Sequence, residues 1–217
     1  MSDVVDPNDF IISRKRKKYK FAKFANAPNC FELEDWSVRP LDCIEVGAGT
    51  GLFSVELAAR HPERTYVALD VKADRLQKGA YEALERGVTN VFFVRARADQ
   101  LDQVLSTHSA ATIWVTFADP FPRKRSAGRR MTHPTFLAKY ADCLKPEGRL
   151  HIKHDNLDFF QWTLEQLVAA QWCIDELSFD LPESDLSDEY KIPTTYETRW
   201  HAEGRTTYFV AAHKIKE

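Results

Sequence analysis

The sequence LDCIEVGAGTG, residues 41–51, joins a short apolar run to a loop with glycine at positions 47, 49 and 51. An apolar run followed by glycines and then by the helical pattern of residues 51–62 predicts a strand, a tight turn and a helix. Gly47, Gly49 and Gly51 let the backbone bend sharply and approach a ligand with no Cβ in the way. Such glycines are often purely structural, so the loop alone is a weak sign of a nucleotide site.

Strand and helix patterns alternate beyond this loop. After the first strand, residues 41–46, further strands are predicted at residues 64–70, 90–96, 111–119 and 149–153, each followed by a helical pattern. Two more, residues 173–181 and 206–214, have little helix between them. The alternation predicts an α/β fold, a doubly wound and mostly parallel sheet with an antiparallel C-terminal strand. Ligands of such sheets bind at the carboxyl ends of the strands.

The composition is that of an ordinary globular domain, with 217 residues of which 44% are hydrophobic and 29% charged. Residues 1–35 are polar and basic without clean periodicity, which predicts a basic N-terminal arm before a domain of residues 36–217. Seven of the ten residues from Arg14 to Lys23 are Lys or Arg, although the formal net charge of the whole chain is only -2. Acidic residues elsewhere in the chain therefore balance this basic segment. Such charge separation predicts a polyanionic partner.

The four cysteines are far apart and form no C-x-x-C pair, so neither a disulfide framework nor a zinc site is expected. No secretory signal is apparent at the N-terminus, and no apolar run approaches membrane-spanning length. These features predict a cytoplasmic protein that needs no metal and does not enter a membrane. The pattern leaves open whether the protein is a monomer or a homodimer.

Two carboxylates near the glycines indicate the kind of cofactor. Asp70 ends the second predicted strand, where an acid accepts hydrogen bonds from both ribose hydroxyls. Glu45 lies inside the first strand, where it would repel a diphosphate but attract an ammonium or a sulfonium. The spacing G-x-G-x-G also differs from the dinucleotide pattern G-x-G-x-x-G. Both observations favour S-adenosylmethionine over NAD.

The stretch DPFPRKRSAGRR, residues 119–130, follows the fourth predicted strand. Pro120 and Pro122 stiffen the backbone beside Asp119, so this stretch predicts a rigid carboxylate facing the cofactor crevice. A carboxylate can accept the N1–H and N2–H donors of guanine, whose N7 has an in-plane lone pair and needs no deprotonation. The simpler alternative is an Asp that caps a turn. The cations expected to hold RNA phosphates around an extruded base are Arg123, Lys124, Arg125, Arg129 and Arg130.

In chain order, the blocks EVGAGTG, ALD, DPFPRKRSAGRR, KHDN and TTYETRW resemble the bacterial tRNA (guanine-N7)-methyltransferase family. The resemblance extends over nearly the whole chain. It implies a class I methyltransferase fold and methylation of N7 of a variable-loop guanine in tRNA, with S-adenosylmethionine as donor. By position, Glu45, Asp70 and Asp119 would contact cofactor, and Asp119 would be catalytic. The substrate contacts would be Arg123, Asp155, Thr194, Thr195, Tyr196 and Glu197.

The chain departs from the family pattern at several of these positions. The family usually has Trp at Phe121, Lys at Arg123, His at Ser126 and Glu at Asp70, and only the change to Ser alters the chemical character. Arg97 stands where the family generally has an acid or Asn near the adenine. A cofactor contact by Arg97 would therefore use its backbone.

Two motifs also have plainer interpretations. His151 and His154 are three residues apart, which on a strand points them to opposite faces, so a structural role is favoured over a metal site. The segment TTYE also has the form of a helix start, with Thr194 or Thr195 as cap and Glu197 in a capping box.

Other functions remain open from the residues alone. D-P-F-P distantly resembles the signature of methyltransferases that act on exocyclic base amines. A non-catalytic RNA-binding protein with a vestigial cofactor fold is a second alternative, and an NAD-dependent oxidoreductase is disfavoured by Glu45.

Overall fold

A computed structural model of the chain describes residues 4–197 and 204–215. Within these ranges the strands are β1 Cys30–Glu32, β2 Cys43–Val46, β3 Tyr66–Asp70, β4 Val91–Arg95, β5 Ala110–Thr116, β6 Leu144–His154, β7 Trp172–Ser178 and β8 Tyr208–Lys214. The α-helices are α1 Lys15–Asn26, α2 Leu52–Arg60, α3 Ala73–Glu85, α4 Leu101–Val104, α5 Pro134–Cys143 and α6 Leu157–Ala169.

The strands form one sheet in the order β1-β4-β3-β2-β5-β6-β8-β7. Neighbours from β1 to β6 pair in parallel, whereas β8 runs antiparallel to both β6 and β7. The predicted α/β sheet with an antiparallel C-terminal strand is confirmed. The strand order reverses at β2, whose neighbours are β3 and β5, so a ligand crevice is expected at the carboxyl end of β2.

Successive residues of a strand point to opposite faces of the sheet, so a strand that is buried throughout must be covered on both faces. Helices provide this cover on each side. Ile44 and Val46 of β2 face a core shared with α4, α5 and α6. Cys43, from the same strand, belongs to a second core that includes residues of α1, α2 and α3. All four residues of β2 are buried, which explains why this strand reads as a continuous apolar run interrupted only by Glu45.

Residues 15–32 are an integral part of this sheet domain. Helix α1 packs on α3, and β1 extends the sheet edge by parallel pairing with β4. Ala22 and Phe24 are buried in the core. The sequence predicts a basic arm of residues 1–35 before the domain, whereas this part of it packs on α3 and pairs with β4. How its basic residues act on RNA stays a prediction.

Strand β5 is shorter than the sequence predicts. It ends at Thr116, and Phe117 then adopts a positive φ of 48°. Asp119 consequently lies on a loop beyond the strand and does not close the strand itself.

Within the described ranges, no helix is both long enough and apolar enough to cross a membrane. The four cysteines are free thiols.

Candidate functional site

A cleft opens at the carboxyl ends of β2, β3 and β5, where the strand order reverses. The sequence places candidate residues directly after several different strands, and parallel pairing brings these strand ends to one edge of the sheet. The predicted residues that line the cleft are Glu45, Gly47, Gly49, Asp70, Asp119, Thr194, Thr195 and Tyr196.

The glycine loop is shaped by backbone conformation and by close packing beneath it. Gly47, Gly49 and Gly51 have φ of 78°, 58° and 69°, in the left-handed region that favours glycine. Gly79 of α3 lets the helix touch the loop, because a Cβ there would lie 2.4 Å from the carbonyl oxygen of Thr50. The Gly79 N–H donates to the same oxygen at 2.9 Å. Sequence reasoning missed Gly79, which lies inside an amphipathic helix pattern and not in a turn.

Asp70 joins the end of β3 to the glycine loop. Its Oδ2 accepts the Gly49 N–H at 2.9 Å, and its Oδ1 accepts the Lys72 N–H at 2.8 Å. Burial nevertheless raises the pKa of Asp70, against the lowering effect of the two backbone donors. Each carboxylate oxygen retains a second lone pair, so the group can still accept a hydroxyl from a ligand in the cleft.

Glu45 is a buried acidic residue that lines the cleft. Its carboxylate accepts hydrogen bonds from Ser54 Oγ at 2.6 Å and from Thr116 Oγ1 at 2.7 Å. Burial raises the pKa of Glu45 to about 7, while the two hydroxyl donors and the charge of Lys153 act to lower it. A cationic group in the cleft would stabilise the ionised form, because an opposite charge nearby offsets the cost of desolvation.

Asp119 lies in the cleft wall on a loop with unusual backbone conformation on both sides. Its side chain is exposed, whereas Phe117 and Phe121 have φ of 48° and 39°. Positive φ is uncommon for aromatic residues, and strain of this kind concentrates at functional sites. The loop therefore presents the Asp119 carboxylate to solvent. Because its backbone conformation is unfavourable by itself, contacts from neighbouring residues must hold the loop in place.

The cations that follow Asp119 divide into two groups. Arg123, Lys124, Arg125 and Arg129 are exposed around a short 3-10 helix at Lys124–Arg129. Arg130 instead turns back and donates to the carbonyl oxygens of Pro120 at 3.0 Å and Phe121 at 3.2 Å. Phosphate binding by the four exposed cations stays a prediction. Arg130, which the sequence also assigns to the phosphates, is instead directed at the carbonyl oxygens of the Asp119 loop.

The turn that contains Thr195 and Tyr196 closes over the glycine loop. Thr195 Oγ1 lies 2.8 Å from Thr50 Oγ1, and Arg75 Nη1 donates to Tyr196 Oη at 2.7 Å. Both contacts join positions far apart in sequence at the mouth of the cleft. Residues 198–200, which complete the TTYETRW block, lie outside the described residues.

Glu197 lies behind the cleft wall. It forms the predicted capping box with Thr194, because Glu197 Oε2 accepts the Thr194 N–H and Thr194 Oγ1 accepts the Glu197 N–H. Lys153 donates to the Glu197 carboxylate at 2.8 Å and to the Ile192 carbonyl oxygen at 2.9 Å. Both charged side chains are buried. Sequence reasoning missed Lys153, although a lysine inside the apolar strand pattern of residues 149–153 was a usable signal.

Asp155 and Arg97 lie beside the cleft and not in its lining. Asp155 directly follows β6, and its Oδ2 is 3.4 Å from Arg205 Nη1. The Arg97 side chain points to solvent and pairs with Asp99 at 2.7 Å, while its backbone N–H donates to Gln100 at 2.9 Å. A substrate contact by Asp155 and a backbone cofactor contact by Arg97 stay predictions.

The two histidines of β6 lie on opposite faces of the sheet, as predicted. His151 is buried against Trp114 and Tyr190, whereas His154 packs against Phe117 and Phe159. No cluster of metal-ligand type includes either ring within the described residues.

One group of possible metal ligands lies elsewhere among the described residues, on β7 and β8. Cys173, Asp175 and His213 bring ligand atoms within 4.8 Å of one another. Ion pairing accounts for part of this arrangement, since Asp175 pairs with His213 at 2.9 Å and with Arg149 at 3.3 Å.

Two solved structures with a similar fold are methyltransferases. The 16S rRNA methyltransferase KamB superimposes with a TM-score of 0.61 at 16% identity, covering 85% of this chain and 90% of that one. A 16S rRNA (adenine(1408)-N(1))-methyltransferase with cosubstrate SAM from Catenulisporales acidiphilia gives a TM-score of 0.56 at 15% identity, covering 98% and 92%. At these identities the likeness shows the fold alone.

Sequence comparisons are more specific. The profile of a family described as "Putative methyltransferase" matches residues 39–210. A tRNA (guanine-N(7)-)-methyltransferase of Brevibacillus brevis is 33% identical over 169 residues, covering 78% of this chain and 78% of the relative. One of Bacteroides thetaiotaomicron is 31% identical over 215 residues, covering 90% and 84%. This chain belongs to the methyltransferase family that contains these bacterial tRNA (guanine-N(7)-)-methyltransferases.

Proposed function

We propose that the protein transfers the methyl group of S-adenosylmethionine to N7 of a guanine in tRNA, a variable-loop guanine, in the bacterial cytoplasm. The observation that carries this proposal is the position of Asp119. Its carboxylate shares a cleft with the glycine loop, and exposed cations follow it within a few residues. The names of the curated relatives support the same reaction and the same substrate.

The donor set around the glycine loop suits S-adenosylmethionine. Asp70 has lone pairs for ribose hydroxyls, and the buried carboxylate of Glu45 favours a cationic ligand over a diphosphate. Glycine backbone at Gly47 and Gly49 allows close approach of the ligand. When bound, this cofactor would supply a methyl group on a positively charged sulfur.

Asp119 is the proposed catalytic residue because it can orient the acceptor base. Its two oxygens can accept the N1–H and N2–H donors of guanine, which turns the base without removing a proton from N7. No general base is needed, since N7 already carries a lone pair. Orientation can supply roughly 7–11 kcal/mol of barrier lowering, and we assign most of the acceleration to this source.

The proposed RNA surface combines the four exposed cations after Asp119 with the start of α1. Helix α1 leads through a short turn into the amino end of β1, which runs parallel to β4. The end of α1 therefore lies near the amino ends of the strands, and its start lies toward their carboxyl ends, where the cleft is. Phe21 of α1 lies under the guanidinium of Arg95 at the carboxyl end of β4, which supports that placement. Arg14, Lys15 and Arg16 are exposed there. Counterion release by such residues would provide much of the RNA affinity.

The proposed function is tested by incubating the protein with unmodified tRNA and S-adenosylmethionine, followed by mass spectrometry of the nucleosides. We expect 7-methylguanosine, lost when the variable-loop guanine is replaced by adenine. A methyl group on an exocyclic amine would establish the alternative reaction. RNA binding without any methylated nucleoside would establish the non-catalytic alternative.

Neutralising the start of α1 should weaken tRNA binding in a salt-dependent manner. For the combined substitutions Arg14→Gln, Lys15→Gln and Arg16→Gln, the slope of log affinity against log salt should flatten by about 2–3 units, given roughly 0.7–0.9 per phosphate contact. Charge substitution is preferable to removing residues 1–24, because Phe24 belongs to the core. Filter binding at several salt concentrations measures the slope.

A matched control removes the same number of positive charges from the side of the sheet where the parallel strands begin, opposite the cleft. Arg60, Arg64 and Lys145 are exposed near the end of α2 and the starts of β3 and β6. Their replacement by glutamine should leave the slope nearly unchanged. Equal slopes for the two triple variants would mean that net charge alone, and not α1, governs binding.

A further inference from the structure

The backbone that carries Asp119 is held by side chains from outside its loop. Three carbonyl oxygens around Asp119, those of Ala118, Pro120 and Phe121, accept hydrogen bonds from His154 or Arg130. We propose that His154 and Arg130 are positioning residues, which fix the direction of the Asp119 carboxylate and hence of the acceptor base. This inference rests on the proposed function, since it assigns a consequence to the orientation of Asp119.

His154 holds the loop from the β6 side. Its Nε2 lies 2.8 Å from the Ala118 carbonyl oxygen, and its Nδ1 accepts the Asn156 N–H at 2.8 Å. These two contacts define a neutral ring with its proton on Nε2, because a carbonyl can only accept and an N–H can only donate. The ring is buried and packs against Phe117 and Phe159, so its orientation is restricted.

Arg130 holds the other side of the loop. Its Nε and Nη2 donate to the successive carbonyl oxygens of Pro120 and Phe121 at 3.0 and 3.2 Å. The guanidinium lies 4.3 Å from the centre of the Trp162 ring, which supports its plane from α6. A planar fork with several donors can bridge two carbonyls in this way, and a lysine ammonium cannot reproduce that geometry.

The loop needs such contacts because its own backbone is unfavourable. Phe117 and Phe121 both adopt positive φ, so neither residue favours the observed conformation locally. His154 acts next to Phe117, and Arg130 acts at Phe121. Without either anchor the loop can relax toward ordinary dihedral angles, which would move Asp119 relative to the glycine loop.

The decisive experiment compares Arg130→Lys with Arg60→Lys, two substitutions that keep the charge. Arg60 is exposed at the end of α2, away from the cleft and from the proposed RNA surface. We expect Arg130→Lys to lower kcat by roughly 10–100-fold, since small misplacement of a reacting group has effects of this size. Its affinity for tRNA should stay within about threefold, as for a residue that does not bind phosphate. Arg60→Lys should retain kcat.

A second pair of variants tests the hydrogen bond of His154. His154→Leu removes the donor to Ala118 while filling similar space, and His154→Gln places an amide N–H near the position of Nε2. We expect kcat to fall by about tenfold in His154→Leu and to recover largely in His154→Gln, because one donor is lost and then restored. A purely packing role would not distinguish the two variants in this order.

Trp162→Leu serves as a third variant if a His154 substitution does not fold. It removes the surface beneath Arg130 without changing any charge, and kcat should fall while the tRNA affinity is kept. The proposal is overturned if Arg130→Lys matches Arg60→Lys in kcat, or if its loss is confined to tRNA affinity. Failure of the proposed function is a separate outcome, in which the unmodified protein forms no 7-methylguanosine in the same assay.

Discussion

Replacing Asp119 by asparagine is expected to abolish most methyl transfer to tRNA while leaving cofactor affinity within a few-fold of its original value. The amide would present a donor to the two donors of the guanine edge. Each polar mismatch of this kind costs about 1–3 kcal/mol, so we expect kcat to fall by at least about 100-fold. The two side chains have nearly the same size, and the loss would therefore reflect hydrogen-bond polarity.

The fold should tolerate this substitution. Asp119 is exposed on a loop, and surface substitutions usually change stability by no more than about 0.5 kcal/mol. Rates under saturating tRNA, together with calorimetric titration of the cofactor, separate turnover from binding. Asp102→Asn, at an exposed position of α4, is a matched control and should retain activity. Near-original methylation by Asp119→Asn would remove Asp119 from the mechanism.

The second large effect is expected in stability. Lys153→Met should lower the free energy of unfolding by about 3–5 kcal/mol, because it leaves the carboxylate of Glu197 buried without its cation. Lys153 is fully buried, and Glu197 is 3% exposed. The substitution also removes a donor from the Ile192 carbonyl oxygen, which lies just before the Thr195 turn. Chemical denaturation monitored by circular dichroism measures the change.

A double variant identifies the cause of that loss. In Lys153→Met with Glu197→Gln, the buried charge is gone, while the glutamine oxygen can still accept the Thr194 N–H. We expect the double variant to regain at least half of the lost stability, since neutral isosteres of buried ion pairs are often tolerated. If Lys153→Met alone were within 1 kcal/mol of the original protein, the pair would have no stabilising role.

The sequence alone determined the central sheet and the identity of the cleft. Apolar runs followed by glycine or a carboxylate are local patterns, and parallel pairing of such strands necessarily collects their carboxyl ends at one edge. For that reason Glu45, Gly49, Asp70 and Asp119 could be assigned to one site before any contact was known. The capping box of Thr194 and Glu197 is likewise local, because its two residues are only three positions apart in sequence.

Tertiary structure decided the parts that depend on distant partners. Helix α1 and strand β1 are marginal by themselves and are stabilised by packing on α3 and pairing with β4. Gly79 matters only because Thr50 lies against it. Arg129 and Arg130 are adjacent in sequence and carry the same charge. They differ in their contacts because the folded chain places the loop carbonyl oxygens and Trp162 next to Arg130. Burial and long-range hydrogen bonding belong to the folded chain, and local sequence patterns do not contain them.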